Sequence, residues 1–89
     1  MKFLLQWTEQ AIEQLHRLDS LIGKRIHAKM EWYASQDDPL VFAKKLVHPQ
    51  ATLFRFRIGD YRIICSVKHS EVHILFVIAV KNRKEAYRL

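Results

Sequence analysis

The stretch Phe54 to Val67, FRFRIGDYRIICSV, most constrains what this chain can become. Phe54, Phe56 and Ile58 alternate with Arg55 and Arg57, and then a two-residue link, Gly59-Asp60, leads into a second alternating run. Period-two alternation is the signature of a half-buried strand. A two-residue link with glycine in its first position is the signature of a hairpin closed by a type II′ turn. A third run follows after Lys68-His69-Ser70-Glu71, so strands are predicted over 52–58, 61–67 and 72–80. In the resulting antiparallel meander, parity places Phe54, Phe56, Ile58, Tyr61, Ile63, Cys65 and Val67 on one face. If Val72 pairs opposite Val67, then Val72, Ile74, Phe76 and Ile78 continue that face. It is almost wholly apolar and needs a cover.

The cover lies upstream. Residues 2–7 read as a first strand. Thr8 can cap a helix whose first turn holds Glu9, and Ile12, Leu15 and Leu18 recur at helical spacing behind it. Asp19 or Ser20 can cap a second helix with the stripe Ile22, Ile26, Met30 and Tyr33; Lys24, Arg25 and Lys29 fall on or near its opposite, solvated side. Asp37-Asp38-Pro39 ends that helix near Gln36, Leu40 to Leu46 reads as a short helical turn, and His48-Pro49-Gln50 reads as loop. The order is strand, two helices, then a three-stranded meander. That is an α+β fold with the helices packed on one face of the sheet, expected to form one domain over residues 1–89.

The other sheet face carries Arg55 and Arg57 on one strand and Arg62 on the next, with Arg57 and Arg62 directly opposite. Like charges in that position destabilise a sheet by about 0.2–1 kcal/mol. The same parity adds His73, Leu75, Val77, Ala79 and Lys81. The arginines have three possible uses: an anion between the guanidiniums, whose geometry suits phosphate, an acidic partner, or plain solvation. Charge placement bears on the choice. From Leu53 onward eight lysines and arginines stand against three acids, a net of +5, which leaves +1 for the first 52 residues. A basic C-terminal third suggests a polyanionic partner, nucleic acid first.

Other function classes are disfavoured. The lone Cys65 sits in an apolar strand pattern and makes no internal disulfide. No histidine pair has metal-ligand spacing on one element, and no Ser-His-Asp set, glycine-rich phosphate loop or carboxylate pair is present. The apolar run near the N-terminus is interrupted by Gln6, too early for a signal peptide or a membrane span. The expectation is a cytoplasmic protein with no cofactor, no metal and no membrane partner.

With GDYR running into an apolar strand, and a last strand leading into Asn82-Arg83-Lys84-Glu85-Ala86-Tyr87, the chain resembles the RelE/ParE superfamily of toxins from type II toxin–antitoxin systems. The element order matches as well, so the resemblance covers essentially the whole chain. It implies a RelE-like mRNA interferase: a metal-independent endoribonuclease that cuts messenger RNA in the ribosomal A site by attack of a ribose 2′-hydroxyl, held in check by a cognate antitoxin. By motif it assigns catalysis to Arg57, Arg62, Arg83 and Tyr87. RNA contacts fall to Arg55, Lys81, Lys84 and Arg88. Some relatives use histidines as acid and base, which makes His48 and His73 candidates. Tyr87 has a second use, as an aromatic anchor for the tail. The alternative within the superfamily is a ParE-like toxin that poisons DNA gyrase without cutting RNA.

Overall fold

The computed structural model describes residues 3–86. Their order is β1 (Phe3–Trp7), α1 (Glu9–His16), α2 (Ser20–Ala34), a 3₁₀ turn (Pro39–Phe42), β2 (Lys44–His48), β3 (Ala51–Ile58), β4 (Tyr61–Lys68), β5 (His73–Asn82) and the four-residue α3 (Arg83–Ala86). The strands form one five-stranded sheet in the order β1-β5-β4-β3-β2. β1 runs parallel to β5, and the other neighbours are antiparallel.

Local chemistry sets the helix ends. The Thr8 hydroxyl accepts from the Ala11 amide and the Asp19 carboxylate from the Leu21 amide, each satisfying a donor that has no partner inside its helix. Asp38 does the same for Leu40 as the 3₁₀ turn begins, with Pro39 fixing the first φ. The helices cover one sheet face. Phe56, Ile63, Cys65, Leu75 and Val77 are fully buried against Ala11, Ile26 and Met30. The Tyr33 and Phe56 rings meet at 4.9 Å. Burial of side chains this size contributes about 1.5–3 kcal/mol each.

The α+β class and the one-sided helix layer are as the patterns require, but four details differ. Residues 44–48 form β2, so the meander has four strands rather than three, closed by a second two-residue turn at Pro49-Gln50. Ile12 and Ile22 are exposed, and the helices approach through Ala11 and Gly23 instead. A Cβ at Gly23 would lie 3.3 Å from the Leu15 carbonyl oxygen. On β5 the predicted pairing of Val72 with Val67 gives way to Leu75 opposite Val67. Leu75 and Val77 therefore point into the core, not onto the arginine face, and His73 shares their side of the strand, stacked on Phe3 at 5.2 Å. Finally, the register shifts between Ile64 and Cys65, which pair with Ala79 and Val77 and leave Ile78 as the extra residue of a β-bulge. Beyond it Val80 faces the core, while Ala79 and Lys81 lie on the outer face.

At the β3–β4 turn Gly59 has φ +57° and no other residue in the turn has a positive φ, the pattern of type II′ rather than I′. A Cβ there meets nothing within 4 Å, so any substitution is penalised by backbone conformation alone. Gly59→Val should destabilise the protein by about 1–2 kcal/mol or more, and Gly59→Asn, which tolerates this region better, by less; urea melts of the two variants measure the difference. Burial pushes the Cys65 thiol far above its ordinary value. The fold therefore favours the neutral thiol, and that contribution is complete below the unfolded thiol value and lost as pH rises past it. Between about pH 8 and pH 10 the wild type should lose stability relative to Cys65→Val, and Cys65 should react with thiol reagents only as fast as the chain opens.

Candidate nucleic-acid interface

The hairpin register puts Arg57 opposite Arg62, and the β4–β5 register puts Arg62 opposite Lys81. Three cations thus form a transverse row on the face away from the helices. At ordinary strand spacing their Cα atoms span about 10 Å. The next row is Lys44, Arg55, Ile64 and Ala79. Ile64 is buried even on this outer face, so the cations stand around an apolar floor.

The members of the row are not equivalent. Arg57 is exposed and Lys81 half-buried, whereas Arg62 is only 6% exposed. One terminal nitrogen of the Arg62 guanidinium, Nη1, donates to the Gly59 carbonyl at 3.1 Å and to the Tyr61 carbonyl at 3.0 Å. The Arg57–Arg62 repulsion is thereby relieved from one side: Arg62 folds back onto turn dipoles while Arg57 extends to solvent. Among the described residues neither Arg57, Arg62 nor Lys81 is paired with a carboxylate. The acid nearest the turn, Asp60, is directed at Arg83 instead. Its carboxylate lies 4.0 Å from the Arg83 guanidinium, and its backbone carbonyl accepts the Arg83 amide at 2.8 Å. Asn82 accepts the Lys84 amide as α3 begins. The end of β5 is in this way tied to the β3–β4 turn, which brings Arg83 to the same end of the sheet as the row.

Of the residues singled out by motif, Arg57, Arg62 and Lys81 come together in one row, Arg55 lies in the adjacent row, and Arg83 and Lys84 lie just past the end of β5. Tyr87 and Arg88 lie outside the described residues. The histidines do not join them. His48 is on the outer face but opposite Ala51, six residues along β3 from Arg57, or about 20 Å. His73 is on the helix side, its Nδ1 3.0 Å from that of His69. Among the described residues no three histidines, cysteines or acids gather closely enough to hold a metal ion, and no helix is long and apolar enough to cross a membrane. An open groove of about 500 Å³ between α1 and α2, lined by Leu15, His16, Gly23 and His27 among others, lies on the other side of the sheet from the cations. Sequence reasoning missed Lys44, which faces the arginines only because β2 pairs with β3. Two short apolar positions, Leu46 and Val47, before a two-residue link were the available signal.

The family model for the ParE toxin of the type II toxin–antitoxin system parDE matches residues 5–87. No curated protein matches the chain. Among solved structures, a chain of the toxin–antitoxin complex RelBE2 from Mycobacterium tuberculosis is similar at 27% identity and a TM-score of 0.68, over 93% of this chain and 100% of that one. A chain of the archaeal RelE–RelB complex from Pyrococcus horikoshii shares the fold at 24% identity and a TM-score of 0.72, over 93% of this chain and 97% of that one.

The unequal roles of the two arginines have a measurable consequence. Arg62→Ala should lower stability by about 1.5–3 kcal/mol, the range for charged hydrogen bonds. Arg57→Ala should leave it unchanged or raise it by up to about 1 kcal/mol through lost repulsion. Chemical denaturation of both single variants and the double variant resolves the two terms.

Proposed function

The chain belongs to the ParE toxin family of type II toxin–antitoxin systems, and we propose that it acts as a ribosome-dependent endoribonuclease that cuts messenger RNA without a metal ion. The observation that carries this reading is the row Arg57–Arg62–Lys81, left without carboxylate partners among the described residues and reinforced by Lys44, Arg55 and Arg83. Three cations on neighbouring strands with no carboxylate partner among the described residues match the needs of a phosphodiester.

In this reaction the ribose 2′-oxygen forms a bond to the adjacent phosphorus and the bond from phosphorus to the 5′-oxygen breaks. The products are a 2′,3′-cyclic phosphate and a 5′-hydroxyl. Between them lies a dianionic pentacoordinate state, and a fixed array of cations stabilises it more than the singly charged ground state. Arg57 and Lys81, the accessible members, hold the non-bridging oxygens. Arg62, already fixed to the turn, keeps a third charge behind them. Guanidinium is a poor proton acceptor, so Arg57 works by charge, and the 2′-hydroxyl proton passes to water. Lys81 is the one ammonium in the row and can return a proton to the departing 5′-oxygen. Arg83 stands at the rim with Lys84, where RNA flanking the cut would pass; Tyr87 and Arg88 follow them in sequence and take stacking and phosphate contacts on this reading.

A cognate antitoxin is the protein partner, in keeping with the toxin–antitoxin complexes that share this fold. Its acidic side chains would neutralise the same row.

A second reading keeps the toxin but changes its target to DNA gyrase. Two observations favour it: the matching family model is ParE, and Arg62 is shielded rather than presented. Induction of the toxin followed by mapping of RNA 5′ ends separates the two. The proposed function predicts codon-phased cuts in translated messages, reduced about 10²–10³-fold in single-turnover assays of Arg57→Ala or Lys81→Ala on programmed ribosomes. Intact messages accompanied by accumulating gyrase–DNA breaks would establish the gyrase reading instead.

A further inference from the structure

The solvent side of α2 is not the purely charged surface of an ordinary covering helix. At about 100° per residue, the buried positions Gly23, Ile26, Met30 and Tyr33 form one stripe, and Leu21, Ala28 and Trp32 stand opposite it. All three are exposed, Leu21 at 75% and Trp32 at 46%. Lys24 flanks this second stripe on one side and Arg25 and Lys29 on the other, and these cations are exposed too. Among the described residues none of the three is paired with a carboxylate. Glu31, the one acid of α2, lies 3.8 Å from His27 instead.

Trp32 is held in place. Its ring meets those of Tyr33 and Phe42 at steep angles, each at 5.4 Å, and Tyr33 in turn packs on core Phe56 at 4.9 Å. The Lys29 ammonium stands over the indole at 4.5 Å. Arg25, Ala28, Lys29 and Trp32 line an open groove of about 350 Å³. An aromatic ring fixed by the core, on an apolar strip between cations, suits an unpaired nucleobase: the base stacks on the ring while its phosphates meet the flanking charges. An apolar protein surface would instead desolvate three cations without a counter-charge, which is costly.

Location selects which RNA. The row of Arg57, Arg62 and Lys81 is on the sheet face away from the helices, and the outer stripe of α2 points the other way. The sheet and α2 itself lie between them, so a message held by the row does not reach Trp32. We infer that the outer face of α2 docks on ribosomal RNA, with Trp32 stacking on an unpaired base and Lys24, Arg25 and Lys29 meeting the backbone beside it. The inference rests on the proposed ribosome-dependent reading for the identity of that RNA.

The test uses two variants of the full chain. One combines Lys24→Ala, Arg25→Ala and Lys29→Ala, all surface positions. The other is Trp32→Leu, which keeps apolar bulk against Tyr33 and Phe42 but cannot stack. Melts check both folds, and if Trp32→Leu unfolds early the triple variant carries the test. The first readout is binding to ribosomes whose message has a 2′-deoxyribose at the A-site codon and cannot be cut. Each variant should bind about tenfold more weakly or worse, the scale of one lost base stack. For the triple variant, the slope of log affinity against log salt should fall by about 2, at about 0.7 per phosphate contact on a single strand. The second readout is single-turnover cleavage against ribosome concentration. The loss should appear in the half-saturating concentration and not in the rate at saturation, the reverse of Arg57→Ala. Wild-type ribosome affinity in both variants would overturn the inference. So would a triple variant that binds ribosomes normally but no longer binds the purified antitoxin, which would make this face a protein-docking surface. A wild type that binds ribosomes yet leaves messages intact would overturn the ribonuclease reading alone, and the binding measurement would still decide the role of α2.

Discussion

The register of β3 on β4 is the constraint on which the outer face depends. A two-residue turn leaves no slack: with Gly59 at positive φ, Ile58 must face Tyr61 and Arg57 must face Arg62. A slip of β3 by one residue would turn Phe56 out of the core and an arginine into it, so burial and turn geometry enforce the same pairing. The adjacency of two guanidiniums is thus an unavoidable result of a stable hairpin. The fold moderates it by using Arg62 as part of the turn. Its two bonds go to the carbonyl of Gly59, in the turn, and to that of Tyr61, the first residue of β4. The turn's remaining residue, Asp60, receives Arg83 from the far end of β5. One short loop therefore coordinates the ends of three strands and the cations attached to them.

This arrangement divides labour among charges that look alike in sequence. A buried, hydrogen-bonded guanidinium is fixed in place but has little surface to offer. Exposed Arg57 has surface but, on the proposed reading, is ordered only when an anion is bound. Placing them side by side gives a field that is partly organised before any anion arrives, which is the useful form of electrostatic stabilisation. The floor of Ile64 and Ala79 helps by keeping that part of the surface less watery than a wholly charged sheet. A thin domain of this size can do little more, because it has no interior to spare for a deep pocket.

The parts legible in the sequence were those fixed by contacts between near neighbours. The hairpin was readable because its turn residues and both flanking alternations lie within a few positions of each other. The caps at Thr8 and Asp19 were readable for the same reason. The helix stripes were read by size, and there tertiary packing prevailed: Ala11 and Gly23 allow close approach, while the larger Ile12 and Ile22 stay outside. β2 escaped because an edge strand with both faces mostly exposed has no hydrophobic period to detect. The inner face of β5 was misread because apolar residues occupy both parities from Ile74 to Ile78, so composition could not say where the strand would bulge. The bulge sets Val80 in the core and Lys81 on the outer face, an outcome of packing across the sheet that lies beyond any local pattern.

The same geometry bears on why a nuclease of this design would be silent on free RNA. A row of cations about 10 Å long on an open sheet can attract a backbone and stabilise charge, but it has no walls to set the 2′-oxygen, phosphorus and 5′-oxygen in line. Orientation of that kind is worth many powers of ten in effective concentration. On the proposed reading it must come from outside, and the ribosome, which already holds the message in a defined conformation, supplies it. The absence of a histidine or carboxylate in the described row fits the same view: with the substrate prealigned, stabilising the dianion becomes the toxin's main task. An antitoxin need not fill a pocket to stop such an enzyme. Placing acidic side chains over Arg57 and Lys81 would remove the field, and occupying the sheet surface would deny the ribosome its access.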